Sequence, residues 1–138
     1  MVDDPRGRGR MLIPRPLDVD AVIRKVKKGS LVTVEQIRER LAQDFGADFT
    51  CPLVTGIFLR IVAEAAEEEL REGKGLGEVT PYWRVIKGDG SLNPKFPGGV
   101  SRQGALLVEE GHELEPAKGK RPPKVKDFRK ALFELGSL

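Results

Sequence analysis

The amino-acid sequence predicts a mainly α-helical domain with a small β element, arranged in winged helix-turn-helix order. Three observations lead there. Apolar residues recur at helical spacing in three successive stretches between Val19 and Ala65. The second stretch opens on Thr33-Val34-Glu35-Gln36, a capping-box pattern in which threonine and glutamine satisfy each other's exposed N–H groups. After the third, Arg84-Val85-Ile86-Lys87 alternates like a strand and runs into the turn Gly88-Asp89-Gly90.

Each element follows from its residues. Residues 1–16 carry too many Gly, Pro and Arg to pack, so they are expected to form a flexible basic arm. The first helix starts with Asp18 as N-cap and buries Val19, Val22, Ile23 and Val26. Lys27-Lys28-Gly29 closes it, with positive charge at the negative end of the helix dipole. Leu31-Val32 is a connector or short strand. The second helix runs from the Thr33 cap to about Asp44 and buries Val34, Ile37 and Leu41. After the turn Phe45-Gly46-Ala47-Asp48, Pro52 suits the first turn of a third helix that continues to about Arg71. Its expected core stripe is Leu53, Ile57, Ile61 and Ala65. A glycine-rich loop, Gly73 to Gly77, follows. A short helix over Arg102–Glu109 presents Ala105, Leu106 and Leu107 to the core, and Asp127–Leu135 reads as a final helix. The domain therefore spans 17–115, with 116–138 as a basic tail. No internal repeat is present.

Composition limits the function classes. A chain of 138 residues holds one domain with a modest core. The single Cys51 excludes an internal disulfide framework and a zinc cage, and it fits a reducing compartment. With no apolar run of membrane-spanning length and no apolar signal core, the expected location is the cytoplasm. The net charge of +3 is unevenly spread. Arg6, Arg8 and Arg10 mark the N-terminal arm, and Lys118, Lys120, Arg121, Lys124, Lys126, Arg129 and Lys130 crowd the tail. Such a tail is either a solvated terminus or a phosphate-tracking surface. Glu64, Glu67, Glu68, Glu69 and Glu72 form an acidic block between them.

The order helix, capped helix, turn, longer helix, strand and turn is that of a winged helix-turn-helix, in which the helix after the turn approaches a DNA groove. Within this frame lies Pro81-Tyr82-Trp83-Arg84-Val85, which holds the chain's one Tyr and one Trp. Gly98-Gly99 and Glu110-Gly111-His112 follow it. From about Leu17 to Glu115 the chain resembles the DNA-binding domain of alkylguanine-DNA alkyltransferases (methylated-DNA–protein-cysteine methyltransferases) and of the alkyltransferase-like proteins. Pro81–Val85 matches that family's Pro-Cys-His-Arg-Val motif. Gly98-Gly99 with the following helix and Glu110-Gly111-His112 match its Gly-Gly turn and Glu-Gly-His end. Lys28-Gly29-Ser30-Leu31-Val32-Thr33 is similar to its approach to the helix-turn-helix.

The resemblance implies a frame without its chemistry. The family's cysteine thiolate attacks the alkyl carbon on guanine's exocyclic oxygen, and a histidine–water–glutamate relay takes the thiol proton. Tyr82 replaces that cysteine, and a phenol with a pKa of about 10 is protonated at neutral pH. Trp83 replaces the histidine, and its indole N–H accepts no proton. Only Glu110 matches the relay. Cys51 is assigned no chemistry, because nothing pairs it with the one histidine, His112. No enzymatic activity, cofactor or metal is therefore expected.

What such a frame retains is binding. By resemblance, the lesion pocket comprises Val34, Tyr82, Trp83, Val85, Phe96 and Pro97. Tyr82 and Trp83 either offer stacking surface to an extruded base or fill the old cavity as core. Three departures weigh against extrusion. Val34 stands where the family has a tyrosine that helps rotate the nucleotide. No arginine occurs near Thr55 or Gly56, where the family's intercalating arginine falls, although Arg60 lies a turn later. The linker Glu67 to Glu78 is longer and more acidic. DNA contacts are expected at Thr33 and Gln36, which otherwise serve as plain caps, at Thr55 and Arg60 of the third helix, and at Ser101 and Arg102. Arg60 could equally pair with Glu64. Arg84 is expected to be structural. The expected partner is double-stranded DNA, plain or alkylated at guanine, with a repair protein as a further partner. The competing expectation is a protein-interaction module on the same fold.

Overall fold

A computed structural model describes residues 1–135, and the last three residues of the expected tail lie outside them. Among the described residues, three short sheets and four α-helices enclose one core. Strand β1 (Val2–Asp3) pairs antiparallel with β2 (Arg10–Leu12), placing Val2 opposite Met11. β2 also pairs parallel with β4 (Phe49–Thr50), with Leu12 opposite Thr50. The arm expected to be flexible is therefore a hairpin. Its cohesion is polar, which is why apolar periodicity missed it. The Asp4 carboxylate accepts from the Arg8 backbone N–H at 3.1 Å and from Arg8 Nε at 2.5 Å, and the Arg8 guanidinium lies 4.7 Å from the Phe49 ring centre.

Helix α1 covers Pro16–Ile23, with proline in its first turn and Arg15 as N-cap. Asp18, expected as the cap, is the third helical residue, and its Oδ2 accepts from the Arg15 backbone N–H at 2.8 Å. Val26 lies beyond the helix end yet stays buried. Strand β3 (Val32–Thr33) leads into α2 (Val34–Phe45), capped as the sequence predicts. Thr33 Oγ1 accepts from Gln36 N at 3.1 Å, and Gln36 Oε1 accepts from Thr33 N at 2.8 Å. Gly46 ends α2 in the left-handed region at φ 67°. Ile37 and Leu41 are buried and Val34 is half-buried against the core.

Helix α3 spans Pro52–Arg71, as expected, but its inward face is not the expected one. Thr55, Leu59, Val62, Ala63, Ala66 and Glu67 are buried, whereas Leu53, Ile57, Ile61 and Ala65 are exposed. Both stripes have helical spacing and apolar members, so periodicity alone does not choose between them. After the loop, a 3-10 turn (Tyr82–Arg84) enters β5 (Val85–Ile86), which pairs parallel with β3, Val85 opposite Val32. Both β5 residues are buried, so the strand does not alternate between core and solvent. Helix α4 covers Gly99–Glu109 and buries Leu106 and Leu107, while Ala105 is exposed.

The basic tail is folded onto the domain. β6 (Leu114–Glu115) and β7 (Lys124–Val125) form an antiparallel pair. In place of the expected final helix stands a 3-10 turn, Phe128–Ala131, launched from Asp127 at φ 54°. The segment after it bridges Leu132 to Leu31 in parallel. Gln36 Nε2 donates to Phe133 O at 2.9 Å, and Arg40 Nη1 donates to Leu135 O at 2.7 Å. Among the described residues, no helix is long and apolar enough to cross a membrane.

Candidate functional site

The 3-10 turn sets Tyr82 and Trp83 into the space between α3 and α4. Both are buried, Tyr82 completely. Their rings meet edge to face at 5.4 Å, and Phe96 meets the other side of Tyr82 edge to face at 5.2 Å. Val85 is also buried and Pro97 is half-buried. Four of the six residues expected to line a lesion pocket therefore close on one another as core: Tyr82, Trp83, Val85 and Phe96.

The buried polar atoms of Tyr82, Trp83 and Arg84 are paired, whereas His112 Nε2 close by is buried without a hydrogen-bond partner among the described residues. Tyr82 donates its hydroxyl to Glu67 Oε2 at 2.5 Å, and Arg102 Nε donates to the same oxygen at 3.1 Å. Burial, reinforced by the neighbouring carboxylate, pushes the Tyr82 phenol well above its ordinary value. That disfavours the phenolate, the nucleophilic form of this side chain, at neutral pH. Trp83 Nε1 donates to Glu110 Oε2 at 2.7 Å. Arg84 grips the same carboxylate, with Nε to Oε1 and Nη2 to Oε2 both at 2.9 Å, and its Nη1 donates to Val26 O at 2.6 Å. Burial alone would raise the Glu110 carboxyl, but the Arg84 and Trp83 hydrogen bonds outweigh it and hold it below its ordinary value. Arg84 is thus a structural clamp, as expected. Glu110 accepts from Trp83, Arg84 and the Gly29 backbone N–H, and among the described residues none of its hydrogen-bond partners is a nucleophile. Burial lowers the His112 imidazole, with Glu110 opposing.

Two residues central to this cluster escaped the sequence reading. Glu67 belongs to the acidic block of the sequence, yet it lies four residues after Ala63 and eight after Leu59, on the buried stripe. That spacing is the signal that could have found it. Gln103 is fully buried and staples three segments. Its Nε2 donates to Trp83 O at 3.1 Å and to Val85 O at 2.8 Å, and its Oε1 accepts from Asn93 N at 2.8 Å. Nothing in its local sequence marks that role.

The expected DNA contacts divide. Thr33 and Gln36 are consumed by the capping box and by Phe133 O, so α2's first turn is covered by the C-terminal segment. Thr55 is fully buried and donates to Cys51 O at 2.7 Å, which corrects its place on the outer face of α3. Arg102 is half-buried against Glu67. Only Arg60 and Ser101 stand exposed, and Arg60 forms no ion pair with Glu64 among the described residues. Cys51 is half-buried before α3 and gives no side-chain cap.

No family model matches the chain, and no curated protein matches it by sequence. Solved structures do match by fold. The alkyltransferase-like protein Atl1 of S. pombe, in complex with damaged DNA containing O6-carboxymethylguanine, aligns at a TM-score of 0.57 and 17% identity. The match covers 86% of this chain and 94% of that one. A second structure, S. pombe ATL in complex with DNA, aligns at 0.54 and 18% identity over the same shares of the two chains. The chain has an Atl1-like fold, which is the fold its motifs resemble.

Proposed function

We propose that this protein binds double-stranded DNA without transferring an alkyl group and without drawing a base into the Tyr82 site. The observation that carries the reading is an Atl1-like frame whose nucleophile position holds a buried tyrosine locked to Glu67. A DNA-bound relative in fold supports the partner. The filled aromatic cluster supports the absence of base extrusion, because opening it would expose Tyr82, Trp83 and Phe96 to water. Burying one such side chain is worth about 1.5–3 kcal/mol, added to the few kcal/mol that unstacking a base costs.

On this reading the contacts are made by Ser101, at the start of α4, and by Lys124, Lys126 and Arg129 of the C-terminal segment. These contacts are to phosphate and carry no sequence information. Fluorescence anisotropy with labelled duplexes tests it. Plain and O6-alkylguanine duplexes are expected to bind equally, with affinity falling steeply as salt rises. Replacing Lys124 and Lys126 with alanine should reduce the salt slope by roughly 1 to 2. Negligible affinity for both duplexes at low salt would sink the reading, and a clear preference for the lesion would instead make the protein a sensor of alkylated guanine. A protein-interaction module is the second reading, favoured by one observation: the outer face of α3 is apolar in its first half and acidic in its second.

A further inference from the structure

The strand pair β6–β7 is the root of a finger. Leu114 lies opposite Val125 and Glu115 opposite Lys124, and farther out a bridge sets Lys118 opposite Arg121. Arg121 N donates to Lys118 O at 2.9 Å, closing a turn over Gly119-Lys120 in which Gly119 is left-handed at φ 57°. The root is tied to the domain. Val125 is buried, its N–H donates to Gly90 O at 3.0 Å, and Leu92 N donates to Pro123 O at 3.0 Å. The tip, Lys118 to Arg121, is exposed throughout. From the Glu115/Lys124 pair to the Lys118/Arg121 pair each strand advances by three residues. That rise stands the tip about 10 Å beyond the sheet. Its charge is uncompensated: residues 116–126 hold five cations and no anion. At the root, Lys126 pairs with Glu113 at 3.7 Å, and Lys124 faces Glu115 across the strands and acts on the Asp89 carboxylate. Lys118, Lys120 and Arg121 form no ion pair among the described residues.

We propose that the tip of this finger enters the minor groove of duplex DNA and gives the protein a preference for A·T-rich sequence. This rests on the DNA-binding reading above and adds the sequence information that its phosphate contacts lack. The partner follows from what the tip has and what it lacks. Its side chains are all donors, with no acceptor for the amino groups of guanine or cytosine. It carries no aromatic ring on which single-stranded bases would stack. Pro122 and Pro123 have no N–H, so an extended peptide gains no full ladder from that strand. No large exposed apolar side chain lies between Glu115 and Lys124, so a bilayer offers the finger nothing beyond charge. Donors alone favour the most negative surface, and in DNA that is the narrow minor groove of A·T tracts. This groove is about 6 Å wide and 7.5 Å deep. The ribbon stays at its mouth, while the slim Lys120 and Arg121 side chains go in. The stalk of about 10 Å also holds Glu113 and Glu115 roughly a Debye length from the phosphates, so their repulsion is screened.

Fluorescence anisotropy on the full chain tests this, with an A-tract duplex and a G·C-rich duplex of equal length over a salt series. The wild type is expected to bind the A-tract about fivefold more tightly. Netropsin, which fills the A·T minor groove, should remove that preference. The triple variant Lys118→Ala, Lys120→Ala, Arg121→Ala is expected to bind both duplexes equally, with an unchanged far-UV dichroism spectrum and a salt slope lower by about 2 to 3. Equal affinity of the wild type for the two duplexes overturns the proposal, and so does a triple variant that keeps the preference. In either case the DNA-binding reading stands. A wild type that binds neither duplex at low salt overturns both. Loss of binding to phosphatidylserine vesicles in the triple variant, with its DNA binding unchanged, assigns the finger to a lipid surface and also overturns the proposal.

Discussion

Removing one oxygen atom from Tyr82 would leave Glu67 facing a hydrocarbon ring, with Arg102 as its only side-chain donor. Tyr82→Phe is therefore expected to destabilise the protein by about 1–3 kcal/mol in urea unfolding. The pH dependence sharpens the test. The folded phenol titrates above its ordinary value of 10.0, so the unfolded chain loses this proton first as pH rises. Stability from this group is thus fully present below about pH 10 and is lost as pH climbs towards the folded value. Wild type should lose stability across that alkaline window, and Tyr82→Phe should lose less. Since the chain has a single tyrosine, phenolate absorbance in the folded protein reports this group alone. An early phenolate signal, before unfolding, would contradict the burial argument. The position of the residue was legible, since the Pro81–Val85 motif around it reads directly from the sequence. Its orientation was not, because the partner that holds it, Glu67, sits in a run of surface-like acids.

At the scale of elements, the capped helix and the strand-and-turn were legible because local chemistry decides them. Thr33 and Gln36 close a capping box using atoms three residues apart. The face of α3 was not legible, since two apolar stripes compete on one helix and α1 settles the choice from a distance. The C-terminal segment was misread for a related reason: its lysines look solvated, yet Val125, Phe128 and Leu135 anchor it in the core. Gly90 is the seat of that anchor. It stands at φ 89°, and a Cβ there would collide with the Phe128 ring. Gly90→Ala combines a strained backbone with a clash and should cost about 2 kcal/mol or more. Its effect should be local, so limited proteolysis is expected to cut the segment after Lys126 faster while α2 and α3 stay protected.

For the molecule as a whole, Glu110 is the joint. It takes hydrogen bonds from Trp83 and Arg84 in the 3-10 turn and from Gly29 N at 3.3 Å, while Arg84 reaches on to Val26. One carboxylate therefore ties the end of α4 to the centre of the chain and to the loop after α1. Glu110→Gln leaves Arg84 nearly buried without its counter-charge and should cost about 3 kcal/mol in urea unfolding at neutral pH. Because the folded carboxyl titrates below its ordinary value of 4.5, its contribution is present above that pH and is lost as pH falls through the folded value. The gap between wild type and Glu110→Gln should accordingly narrow in acid. A gap that stays constant down to low pH would show that the charge is not what matters.

The bridge between Leu31 and Leu132 carries a consequence in time. The two residues are about 100 positions apart, and the Gln36 and Arg40 contacts to Phe133 and Leu135 span nearly as far. At about 5–20 residues per second, a ribosome needs roughly 5 to 20 seconds to make the second partner after the first. Through that interval Leu31, fully buried in the finished protein, has no neighbour on its outer edge. The nascent chain must therefore wait with an unpaired, sticky strand edge until the segment around Leu132 has been made.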